Sequence, residues 1–500
     1  MVFPSLKKTR PLSYGYALPL TNPRVSSSPV TSYSLTRRAL RLLVITLTCT
    51  GICLLWAYVD AVQHVQTSSE LAKPSQLFNS SIPDPPLPPL YEEIRKQERN
   101  LSHYGEYEGK PIKYFWAANH AHSSGWGNVM QDYIMMGSLA HATKRSFVFD
   151  DFVWNPNGSL FTDYNGKLIP SRTPLSALLS GPMVGGPMPP GDDTPRAVSK
   201  DFFYKACPNP TVLHVPDINT DEMRHSDDIP ASYVFEKWVE KINSVEDPCL
   251  MIDPSNNQIF EYWFFGQKNR MLSIWPYLSK SPVTTHWGWS PLIHDAYYRN
   301  RHLFRSKTIW EFIGIGTSRE DPISPIPGLL ALHIRRGDFE GHCRHLANWN
   351  AEWNAFNSFP EFPDKFEPPT DGDGDHTTQE NMDLYVRRCY PTVEQIVARV
   401  RQIRNEAKVK LRYLYVLTNG PVPWVEELKL ALAQDMHWAH VASSRDLELT
   451  WEQKFVAQGM DMYVAQRASV FIGNGWSSLT SNVVMLRMVH GYAPETNRFW

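Results

Sequence analysis

What most restricts the fold of this chain is an alternation of short apolar runs with amphipathic stretches that starts at Gly328 and continues almost to the end. GLLALHIRR reads as a buried strand. Residues 382–407 follow as one long helix, with Leu384, Val393, Ile396, Val397, Val400 and Ile403 forming its apolar stripe. LRYLYVLT is a second strand, a helix begins near Pro423, and another covers 452–467. SVFIG is a third strand, and a closing helix starts at about Ser477. Such alternation is the pattern of a doubly wound α/β domain.

A shorter stretch upstream opens in the same way. KYFWAA suits a buried strand, HSSGWGN is a small, glycine-containing turn, 129–143 has helical spacing, and SFVFDDFVW is a second strand. Strand, turn, helix, strand begins a parallel βαβ unit. The expected architecture is therefore α/β, with two Rossmann-like halves facing a cleft, over 109–325 and 326–500. Within the first half, 165–200 is rich in Pro and Gly and reads as an extended surface loop, while 200–325 yields few assignable elements.

The N-terminal part is of another kind. Residues 1–41 hold no Asp or Glu but carry Lys7, Lys8, Arg10, Arg24, Arg37, Arg38 and Arg41. Residues 42–59 have no charged side chain. At about 1.5 Å per residue they come close to the minimum length for a helix crossing a hydrocarbon core. Trp56 and Tyr58 sit where an interfacial belt would, and Asp60 and Gln63 replace the small residues of a cleavage site. The expectation is a single-pass type II anchor, with the basic tail cytosolic and the bulk lumenal, in the endoplasmic reticulum or Golgi membrane. Residues 60–108, with five prolines between Pro83 and Pro89, read as a stem. A net charge of −2 gives no ground for nucleic-acid binding.

Asn79, Asn100 and Asn157 begin glycosylation sequons, all beyond the apolar stretch. Cys207, Cys249, Cys343 and Cys389 also lie beyond it. An even number in an oxidising compartment allows three pairings, of which neighbours in sequence are the simplest, or free buried thiols. No Cys/His cluster has zinc spacing, so no metal is expected. DGDGDH, 371–376, has His376 and Met382 where a calcium loop needs Gly and an acid, which leaves an acidic, solvated loop.

Three stretches could carry chemistry. ALHIRRGDFEGHC delivers His333, Arg335 and Arg336 at the end of a strand, the edge at which open α/β sheets bind ligands. A guanidinium there either grips a phosphate or pairs with Asp338. SVFIGNGWSSLTSN places Ser477, Ser478 and Thr480 at a helix start, which serves as a phosphate cradle or as an ordinary cap. SGWGN, with Gly125, Gly127 and Asn128, is a turn between strand and helix without the spacing of a dinucleotide fingerprint.

In this order WGN, HIRRGDF and DMYVAQRASVFIGNGWSSLT resemble the GDP-fucose protein O-fucosyltransferases and the related α1,6-fucosyltransferases. The resemblance implies a two-lobed GT-B fold and inverting, metal-independent transfer of fucose from GDP-fucose to a hydroxyl of a lumenal protein or glycan, without a cofactor. Carried over, Arg335 would bind the β-phosphate and assist its departure, and His333 would contact the nucleotide. Asp461 would recognise the donor or shape its pocket, Ser478 and Thr480 would hold the diphosphate, and Asn128 would face the reaction centre. Arg336 would bind acceptor or Asp338. One branch of the family has a Glu as base where this chain has Ser124, too weak a base for the role. Asp132, Asp338 and Glu340 are the candidates to replace it. The alternatives are another nucleotide sugar as donor, or a lumenal binding protein of the same fold without catalysis.

Overall fold

A computed structural model describes residues 87–101, 106–107, 109–306 and 320–500. The basic tail, the apolar stretch 42–59, Asn79 and the first part of the expected stem lie outside the described residues.

Two five-stranded parallel sheets organise the chain. In the first, β1 (Tyr114–Trp116), β2 (Ser146–Phe149), β3 (Val198–Ser199), β4 (Thr211–Leu213) and β5 (Cys249–Ile252) lie in the order β3-β2-β1-β5-β4. In the second, β6 (Ile326–Ile334), β7 (Tyr413–Thr418), β8 (His440–Ser443), β9 (Ala468–Gly473) and β10 (Asn497–Phe499) lie in the order β8-β7-β6-β9-β10. Both sheets start in the middle, run to one side, and return to the other side of the first strand. Each therefore has a switch in strand order next to its first strand, between β1 and β5 and between β6 and β9. Ligands of open α/β sheets bind at the carboxyl ends of strands flanking such a switch.

The central strands are apolar because both of their faces are covered. Every residue of β7 is buried, as are the last six of β6. One apolar core runs through both halves, containing Phe115 and Tyr133 of the first and Tyr415 and Phe471 of the second. It passes through two helices, α1 (Trp126–Ala142) and α7 (Ser478–Val489), most of whose residues are buried. The halves are thus joined by a shared core, and the expected cleft is narrowed to a cavity.

Four sequence readings need correction. The helix over 382–407 is two helices, α3 (Gln379–Cys389) and α4 (Val393–Glu406). Pro391 has no N–H to donate and disfavours helical backbone at Tyr390, whose φ and ψ are −135° and 58°. The helix over 452–467 is likewise split: after α5 (Val422–Asp435), a short turn precedes α6 (Ala457–Arg467). The Pro/Gly-rich stretch 165–200 is not a surface loop throughout: Leu175, Leu178, Leu179 and Met183 enter the core. The Met183 sulfur occupies the space a side chain would need at Gly137 of α1. The stem reading also ran too far. A helix over Glu92–Arg99 lies against the body, with Tyr91 buried and donating to the Glu452 carbonyl at 3.0 Å, and Arg95 3.0 Å from Asp151.

Cys207 pairs with Cys249 and Cys343 with Cys389, the pairing of sequence neighbours. The second bridge ties α2 (Phe339–Asn348) to α3. Asn100 and Asn157 are exposed.

Candidate active site

Both switch points open into one cavity of about 660 Å³. The segment after β1 contributes Gly125, Gly127 and Asn128, and the one after β5 contributes Tyr262, Trp263 and Gln267. From the second sheet come Arg335 and Asp338 after β6, and Trp476, Ser477 and Ser478 after β9.

Arg335 is the first residue beyond β6. Its guanidinium lies 4.7 Å from the ring centre of Phe339, and one nitrogen is 3.5 Å from Asp338. That carboxylate is well exposed, and an exposed pair of this kind is worth at most about 1 kcal/mol. The Arg335 Nε is buried and has no hydrogen-bond partner among the described residues. The charge is therefore placed but not consumed.

Two helix ends face the same space. α1 has Gly125 at its N-cap and α7 has Ser477, and neither cap residue hydrogen-bonds through a side chain. Free first-turn N–H groups and the positive end of a helix dipole favour an anion. The two ends approach closely: a Cβ at Gly127 would sit 2.6 Å from Ser478 Oγ and 2.8 Å from the Leu479 nitrogen. Asn482 Nδ2 donates to the Gly127 carbonyl at 2.7 Å, and Gln131 Nε2 to Asn354 Oδ1 at 3.0 Å, latching the halves beside the cavity.

The family model of GDP-fucose protein O-fucosyltransferases matches residues 314–490. That stretch is similar to the O-fucosyltransferase enzymes. It covers β6 through α7, including Arg335 and the α7 N-terminus. No curated protein matches the chain. Among solved structures, POFUT1 in complex with GDP-fucose aligns at 15% identity over 78% of this chain and 98% of its own, with a TM-score of 0.46. NodZ α-1,6-fucosyltransferase soaked with GDP-fucose aligns at 10% identity over 75% and 92%, with a TM-score of 0.38. Arabidopsis thaliana FUT1, a mutant in complex with GDP, aligns at 12% identity over 79% and 72%, with a TM-score of 0.33.

Not every expected residue reaches the cavity. His333 is buried behind it, with Nδ1 2.8 Å from Thr480 Oγ1, and its carbonyl accepts from Trp500 Nε1 at 3.0 Å. Burial, and then the charge of Arg335, depress its pKa to about 3, so the ring is neutral. Thr480 is fully buried and also accepts from the Asn474 N–H at 3.1 Å, so it shapes the turn after β9 instead of lining the cavity. Arg336 turns away from the cavity, between the rings of Tyr390 and Trp424, and donates to the Pro391 carbonyl. Asp461 accepts from the Tyr415 hydroxyl at 2.6 Å and from Ser444, outside the cavity lining. Burial lifts its pKa to about 6.

The base candidates also separate. Glu340 is exposed beside Arg344 and does not line the cavity, whereas Asp338 does. Asp132 lines a smaller recess of about 140 Å³ with Ser124. The recess and the main cavity share Asn128, Gln131 and Tyr262. The Asp132 Oδ2 accepts from the Ala121 N–H at 2.7 Å, while Oδ1 is buried with no partner among the described residues. Burial raises its pKa from 3.8 to about 6, against the Ala121 hydrogen bond and His120, which lower it. The folded protein thus holds this proton more tightly than the unfolded chain. Stability falls as pH rises from about 4 to 6, and the penalty is complete above that. A shift of this size corresponds to roughly 3 kcal/mol. Asp132→Asn should therefore be more stable than wild type by about 1–3 kcal/mol at pH 7, with most of the gain gone at pH 4. Urea titrations at the two pH values check this, and an equal difference at both would refute it.

Several lining residues carried no signal in the sequence. Tyr262 and Trp349 are exposed at 74% and 57%, and Trp154, Tyr164 and Trp263 complete an aromatic rim. Of the other tryptophans, Trp353 is core at 1% exposure and Trp424 packs on Arg336.

Proposed function

We propose that this chain transfers fucose from GDP-fucose to a hydroxyl of a protein or glycan, as a GT-B-like, inverting and metal-independent enzyme. The observation that carries the reading is the meeting of Arg335 with the N-termini of α1 and α7 in one cavity at both switch points. In the step proposed, the acceptor oxygen bonds to C1 of fucose on the face opposite the diphosphate. The bond from C1 to the β-phosphate oxygen breaks, and its electron pair leaves with GDP. The acceptor proton passes to a carboxylate, for which Asp338, in the cavity, and Asp132, in the adjoining recess, are the candidates.

Charge grows on the distal phosphate as that bond breaks. A fixed guanidinium and two helix ends stabilise it most in the transition state, because they are held in place beforehand. They place positive charge where the leaving group needs it, which is the ground for reading the step as metal-independent. Gly125, Gly127, Ser477 and Ser478 lend the diphosphate backbone and hydroxyl donors, and Asn128 faces the sugar. His333 and Thr480 act from behind, by fixing the turn. The two disulfides and the exposed Asn100 and Asn157 support a lumenal domain on a type II anchor in the endoplasmic reticulum or Golgi membrane.

Ser124, where a family branch carries a Glu, favours a second reading, a binding protein that keeps the pocket without turnover. Donor hydrolysis and transfer with GDP-fucose, GDP-mannose and UDP-sugars, in chelator, separate the possibilities. Turnover of GDP-fucose above the others is expected. Preference for another donor would change the sugar, and GDP binding without any turnover would leave only the binding role.

A further inference from the structure

A second cavity, of about 560 Å³, lies on the far side of the β6 tip and shares no lining residue with the first. Two of its walls, Pro391 and Trp500, hold the segment around Arg335 from behind through the Arg336 and His333 contacts. Its side chains include four cations, Lys365, Arg387, Arg388 and Arg399, against one acid, Asp364.

That acid is already shared. Asp364 lies 2.7 Å from Arg399 and 2.9 Å from Arg498, which is outside the lining. Two of the other cations are held by neutral oxygens. Arg388 donates to the Lys365 carbonyl at 3.1 Å, and Lys365 to the Phe359 carbonyl at 2.9 Å. Arg399 also donates to the Phe499 carbonyl at 2.8 Å. Arg387 is exposed. Carbonyls orient a cation without cancelling its charge, so the wall keeps several like charges within one concavity. Even a carboxylate at Trp500 would leave it cationic. Like charges held together destabilise the empty state, and a multiply charged anion relieves them. The volume falls within the range of small-ligand pockets, and Pro363, Pro391, Ala398 and Trp500 give it an apolar side.

We infer that this cavity is a second binding site, for a small polyanion whose sulfate, phosphate or carboxylate groups are borne on a compact ring body. The shared chemistry is a cluster of oxyanions beside an apolar face, and Arg forks suit such groups. The test is calorimetric titration of the full chain with a heparin-derived tetrasaccharide, inositol hexakisphosphate and inorganic phosphate. At least one polyanion should bind, and inorganic phosphate should bind at least 10-fold more weakly. Arg387→Glu reverses the charge of an exposed arginine, and Ala398→Glu adds a negative charge at an exposed position without removing a contact. Each should weaken the polyanion at least 10-fold while leaving GDP binding unchanged. Which polyanion binds tells sulfated saccharide from phosphate. Binding of neither, binding unaffected by both variants, or phosphate binding as tightly as the polyanions would overturn the proposal.

Discussion

Arg335→Ala is expected to lower kcat for fucose transfer by about 10²–10³-fold, or roughly 2.7–4 kcal/mol of transition-state stabilisation. The residue stands at the carboxyl end of β6, beside the switch in strand order; among the described residues its Nε has no partner and its one ionic neighbour is an exposed carboxylate. Its removal takes away charge that matters most when the phosphate departs, so kcat should fall more than KM rises. Arg335→Lys keeps the charge but loses the planar fork, and should recover only part of the activity. Folding should be little affected, since the pair with Asp338 is weak. Steady-state kinetics of the three proteins, with circular dichroism as a control on folding, checks the expectation. A kcat within threefold of wild type would remove Arg335 from the mechanism.

Gly127→Val should be the most damaging change that touches no charged group. Position 127 lies in the first turn of α1, where replacing Gly by Ala would ordinarily favour the helix by about 1 kcal/mol. Here the added carbon meets the Leu479 nitrogen at 2.8 Å, a backbone atom at the start of α7 that cannot swing aside as a side chain can. The two helix ends must then separate, straining the Asn482 and Gln131 latches and opening the phosphate cradle. Overpacking of this kind costs about 1–3 kcal/mol, and the larger valine should cost more than alanine. GDP affinity should fall along with stability, because the displaced atoms are those that face the ligand. Thermal melting with and without GDP reads both effects. A Gly127→Ala protein that melts higher than wild type and binds GDP normally would show that the close approach is not needed.

The second half of the fold was legible because its strands are long and apolar and its helices amphipathic. β6, β7, β9 and α7 all fall where the pattern put them. In the first half, β3 has two residues and β4 three, too few to show a period. β5 is a four-residue strand within a mixed, aromatic stretch, and missing it hid the loop carrying Tyr262, Trp263 and Gln267. The site was legible where the backbone decides it: Arg335 at a strand end, Ser477 and Ser478 at a helix start, Gly127 in the turn that opens α1. It was not legible for His333, Thr480 and Arg336. Their roles depend on which way a side chain turns from a correctly placed backbone, and residue spacing does not record that. Asp132 is a further case, since its weight as a base comes from burial and an oxygen without a partner among the described residues.

The most direct measurement compares GDP with GMP on wild type and Arg335→Ala by calorimetry. Charge-assisted hydrogen bonds are worth about 1.5–3 kcal/mol, so wild type should prefer GDP by roughly 10–100-fold. If Arg335 grips the distal phosphate, the variant should lose most of that preference while its affinity for GMP stays put. An unchanged GDP-over-GMP ratio in the variant would contradict the account.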